Sequence, residues 1–109
     1  MKNFCLLACF VTFLASAVQL SAAGSVSFEK DVRPILKAHC FHCHGEEEEL
    51  GGGLDLRLKR LMLSGGDSGP ALIESQPDQS LLVEYLTSGL MPPEDVAVRP
   101  SQQEITTII

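Results

Sequence analysis

Basic residues are few: eight Lys and Arg stand against fourteen Asp and Glu, for a formal net charge of −6. Such a surface repels phosphate backbones and anionic lipid, which disfavours electrostatic binding of nucleic acid and suits solubility or a basic partner. Cysteine is also scarce. Of the four cysteines, Cys5 and Cys9 fall at the very start, so Cys40 and Cys43 are the only thiols in the rest of the chain. No second Cys or His pair follows them, as a zinc site built from two separated pairs would need. No strand–helix–strand pattern surrounds them, as a thioredoxin-like dithiol would need. There is no internal repeat.

Long apolar runs are absent except at the beginning. Lys2 supplies a positive start, Phe4 to Leu20 is almost wholly apolar, and Ser21-Ala22-Ala23 offers small residues for a peptidase. Residues 1–23 therefore read as a signal peptide cut near Ala23, with Ala15-Ser16-Ala17 as a second possible cut. The competing reading is a retained anchor, because the run carries no charge and is marginal in length for a span. The small residues crowding its end favour cleavage. The product is then expected in the periplasm or an equivalent extracytoplasmic compartment, with no stable membrane span. Removing residues 1–23 leaves 86 residues and takes away Lys2, so the net charge becomes −7. That is room for one small domain, residues 24–109.

Within it, Phe28, Val32, Ile35 and Leu36 fall on one helical face running into Cys40. Pro34 is tolerated best in a first turn, which puts the regular start near Asp31. Glu46 to Glu49 and Gly51-Gly52-Gly53 read as a solvated loop without chemistry, since like charges repel and glycines carry a large entropy cost. Leu54, Leu56 and Leu58 alternate, and a helical step to Leu61 follows. Ser64 to Pro70 is dense in turn formers. Pro77 opens a helix with the stripe Leu81, Leu82, Tyr85 and Leu86, and Gly89 stops it. Leu90-Met91-Pro92-Pro93 is expected to be stiff and extended. Ser101-Gln102-Gln103-Glu104 has the capping-box form, continued by Ile105, Ile108 and Ile109. With no stop signal after it, the helix reads as incomplete and Ile109 as a truncation point.

The chemistry concentrates in Cys40-Phe41-His42-Cys43-His44. Two cysteines separated by two residues, with histidine directly after, form the c-type haem attachment pattern. Two thiols on one turn reach the two vinyl groups on one porphyrin edge, and the adjacent imidazole projects over the iron as proximal ligand. The same residues allow a plain disulfide or dithiol. Zinc on Cys40, Cys43, His44 and either His39 or His42 is a further reading, though one compact cluster rarely closes a tetrahedron. Met91, flanked by Leu90 and two prolines, is the candidate distal ligand. Met62 is its rival, or a filler of the core. A cavity lined by Leu or Ile is expected beside His44.

On these residues the chain resembles the cytochrome c-like domain at the N-terminus of large exported planctomycete proteins. The matching stretches are Phe28 to Leu36, Cys40 to Gly45, Gly52 to Leu56, Gly65 to Ala71, Pro77 to Leu82 and Met91-Pro92-Pro93. In that family the segment like Ser101 to Ile105 continues into a tryptophan-containing helix, and this sequence has no tryptophan. The resemblance also implies downstream domains in a longer parent chain. The expected fold is all-α: three or four short helices around a covalent haem, with long irregular loops. The expected function is one-electron transfer through one haem c (iron) per chain, held by Cys40, Cys43, His44 and Met91, with redox proteins as partners. Two alternatives stay open. One is a haem enzyme with a displaceable sixth ligand, and the other a redox-silent interaction module with a Cys40–Cys43 disulfide.

Overall fold

The computed structural model describes residues 24–109. The predicted signal peptide, with its cut sites and the anchor alternative, lies outside the described residues. Four short α-helices are joined by long irregular segments, and no strand forms among the described residues. The all-α expectation holds.

The chain enters through a wide turn of π type, Phe28–Val32, which runs directly into α1, Arg33–His39. The regular helix thus starts two residues later than the sequence suggests. A proline ring collides with the carbonyl four residues back in an evenly wound helix. The turn ahead of Pro34 is instead wound wide, with the Arg33 N–H donating to the Phe28 carbonyl five residues back. Pro34 then sits in the first turn of α1, as expected.

The leucine-rich stretch divides where its period changes. Leu54 to Leu58 is non-helical, and α2, Lys59–Ser64, begins at the helical step. The helix expected from Pro77 is split in two. A single 3₁₀ turn, Pro77–Gln79, is followed by α3, Leu81–Thr87, with Ser80 in extended conformation between them. The cause is the Ser80 hydroxyl, which is 1% exposed. It accepts from the Ile73 N–H at 2.9 Å and donates to the Gln76 carbonyl at 3.0 Å. A buried hydroxyl needs such partners, and reaching them breaks the helix. Gly89 ends α3 with φ +76°, the left-handed conformation glycine adopts without penalty. α4, Gln102–Ile108, carries the complete capping box.

The core is one cluster of Val32, Leu36, Phe41, Leu56 and Met62. Phe28, Cys40, Leu54, Leu72, Leu82 and Ile108 pack against it, so every α-helix contributes a side chain.

Candidate functional site

Cys40 caps α1, and the next turn is hydrogen-bonded onto it: the Cys40 and Phe41 N–H groups both reach the Leu36 carbonyl, at 2.8 and 3.0 Å. The His44 N–H then reaches the Cys40 carbonyl at 2.9 Å. Cys40, Cys43 and His44 are thereby held on one turn. Both cysteines carry free thiols and no disulfide joins them. Cys40 is half-buried against the core and Cys43 is exposed. Burial, together with the neighbouring Cys43, pushes the Cys40 thiol up to about 11, so it stays protonated at neutral pH.

His44 leaves the helical path with φ −112° and ψ 44°. Its ring lies over Gly51, where an added Cβ would come within 3.2 Å of the ring's Cε1. The Nδ1 atom is buried and without a hydrogen bond. The glycine run expected to be mere solvated loop therefore borders the site, and a side chain at Gly51 would crowd the ring. Glu46 to Glu49 are exposed as expected.

The extended stretch after the glycines braces the turn. The Leu56 N–H donates to the His44 carbonyl at 2.8 Å, and Leu56 is itself a core residue. The Arg57 side chain crosses Gly45, where a Cβ would lie 2.7 Å from Arg57 Cγ. Arg57 Nη2 also meets Asp55 Oδ2 at 2.7 Å, and this hydrogen bond is the main cause that holds the Asp55 carboxyl below its usual range. Phe41, between the two cysteines, is 2% exposed and points into the core, with the Arg33 guanidinium 5.7 Å from its ring centroid. Sequence reasoning passed over Phe41 and the Leu56 brace. The signals were an apolar residue inside a polar motif and the middle leucine of the alternating run Leu54, Leu56 and Leu58.

The other histidines are occupied. His39 Nε2 lies 3.4 Å from Glu104 Oε1, and His42 Nε2 lies 3.2 Å from Glu47 Oε1. No group of three or more His, Cys, Asp or Glu converges as a metal site among the described residues, which leaves the zinc reading without support. Met62 is 1% exposed inside the core. Met91 is half-buried on the loop after α3 and lines a cavity of about 260 Å³ with Leu86, Arg99 and Ile105. Cys40, Cys43 and His44 line neither this cavity nor a second one of about 560 Å³ near Ile73 and Ile108. The cavity expected beside His44 is not one of these two.

A family model described as Planctomycete cytochrome C matches residues 40–95, just over half of the chain and all four predicted site positions. The chain belongs to the planctomycete cytochrome C family. No curated protein and no solved structure matches it. Membership in this cytochrome family implies a haem-binding domain, and the donor set fits that group. Two thiols and an imidazole share one turn, and none of the three side chains is engaged in a hydrogen bond or ion pair among the described residues. With Nδ1 buried, Nε2 is the ring nitrogen that would be left to hold such a group. No helix among the described residues is long and apolar enough to cross a membrane.

Proposed function

We propose that residues 24–109 are an exported one-electron carrier domain holding one haem c, with Cys40 and Cys43 as thioether attachment points, His44 as proximal ligand and Met91 as distal ligand. The observation that carries this reading is the single turn on which two free thiols and an unengaged imidazole sit, inside the stretch that matches a cytochrome family. When bound, the haem supplies an iron that cycles between ferric and ferrous states, and a methionine opposite histidine favours the ferrous one.

The chain's own residues have distinct tasks. Cys40 anchors from the core side and Cys43 from the surface. Phe41 fixes the turn between them, while the Leu56 N–H and Gly51 hold the position of His44. Residues 1–23 serve as the cleaved signal that delivers the chain to an extracytoplasmic compartment. The acidic surface suits a basic redox partner, and further domains of a longer parent chain are natural neighbours for such a module.

The test is covalent attachment. In a protein matured with haem, the double variant Cys40→Ser with Cys43→Ser is expected to lose all haem that survives acid–acetone extraction. Extraction-resistant haem in that variant overturns the assignment. A second reading, a haem enzyme with a displaceable sixth ligand, is favoured by the position of Met91 in a cavity without Cys40, Cys43 or His44 in its walls. Met91→Ala separates the two. For a carrier it abolishes the near-infrared sulfur-to-iron band and lowers the potential. For an enzyme whose sixth position is open or filled by another residue, it leaves both unchanged.

A further inference from the structure

The loop from Gly89 to Pro93 is poor in hydrogen-bond donors. Pro92 and Pro93 have no N–H, so the segment can form few backbone hydrogen bonds of its own. Its own donors face back toward α3: the Gly89 N–H reaches the Leu86 carbonyl at 3.3 Å, and the Met91 N–H reaches the Tyr85 carbonyl at 3.0 Å. The carbonyls at the two ends are taken by one side chain. Arg99 Nη1 donates to the Pro93 carbonyl at 2.9 Å, and Arg99 Nη2 donates to the Gly89 carbonyl at 3.1 Å. Met91 is the midpoint between these residues, and it shares its cavity with Arg99. Arg99 forms no ion pair with a carboxylate among the described residues, so its planar fork is spent on the loop.

We propose that Arg99 is a positioning residue for the Met91 thioether, bridging Gly89 and Pro93 so that the loop holds the sulfur in one place. The inference rests on the reading of Met91 as distal ligand. A guanidinium fits this task because its donors lie in a fixed plane and address two acceptors at once. A lysine ammonium is a single point and cannot span both carbonyls in the same way. Loosening the loop leaves the sulfur chemically unchanged but makes its bond to iron compete against more loop conformations. External ligands should then displace it more easily.

The experiment uses the haem-loaded protein in four forms: parent, Arg99→Gln, Arg99→Lys and Met91→Ala. Cyanide dissociation constants are read from the Soret band, with circular dichroism as the check on folding. In Arg99→Gln the constant is expected to fall about tenfold, the effect of about 1.4 kcal/mol, with the near-infrared band weakened. Arg99→Lys should fall between this variant and the parent, and it decides the matter if Arg99→Gln does not fold. If Met91→Ala tightens cyanide binding while both Arg99 variants stay within about twofold of the parent, the role of Arg99 is overturned and that of Met91 stands. If Met91→Ala itself leaves cyanide binding unchanged, the ligand reading fails and the Arg99 proposal falls with it.

Discussion

Met62 and Met91 share a side chain and differ in what surrounds it. Met62 is 1% exposed and packs in the core with Leu36, Phe41 and Leu56. Truncating it to alanine leaves a void among side chains that cannot fully close around it. Met62→Ala should cost about 2–5 kcal/mol in chemical denaturation, with the haem spectrum of the folded protein unchanged. A spectral change without loss of stability would transfer the ligand role to Met62. The core place of Met62 was legible, because it lies in a leucine-rich run, whereas Met91 stands between a leucine and two prolines. It could not reveal Arg99, whose partners are backbone carbonyls and leave no pattern in residue identity.

At the scale of elements, α4 is the clearest case of local sequence deciding local structure. Ser101 Oγ accepts from the Glu104 N–H at 3.2 Å, and Glu104 Oε2 accepts from the Ser101 N–H at 2.7 Å. The Ser101 N–H is the main cause that lowers the Glu104 carboxyl below its usual range, followed by the Ser101 hydroxyl and His39. A carboxyl lowered on folding contributes stability above its unfolded pKa and loses it as pH falls through the folded value. Parent and Glu104→Gln should therefore differ in thermal midpoint at pH 7 and converge in acid, once the pH has fallen below the lowered folded value of Glu104. A gap that persists there would show that the carboxylate charge is not the source. Ser80 marks the limit of this legibility. Pro77, Asp78 and the leucines after it have a helix start's pattern, yet the bonds that break the helix run back to Ile73 and Gln76. Such demands on one hydroxyl are invisible to periodicity.

For the molecule as a whole, two glycine loops do what a larger core would do in a longer chain. The Asp67 N–H donates to the Gly52 carbonyl at 2.8 Å, and a Cβ on Gly66 would lie 2.3 Å from the Gly52 carbonyl oxygen. Backbone rests directly on backbone beneath the His44 turn. Gly66→Ala should lower stability by about 1–3 kcal/mol, readable in a denaturant titration of the haem protein. An unchanged midpoint would mean that the two loops part without consequence. The fold class, the capping box and the turn that gathers Cys40, Cys43 and His44 were all legible because each rests on near neighbours. Loop docking was not, because it requires knowing which turns meet. The wide turn before Pro34 has its own consequence, in angular phase. Four residues along an evenly wound helix overshoot a full rotation by about 40°, so Phe28, Val32 and Leu36 would fan progressively off any one line. A turn with more than four residues per rotation undershoots instead, and the two errors offset each other by Leu36. All three side chains consequently face the core, and the proline that forbids even winding is also what keeps the stripe straight.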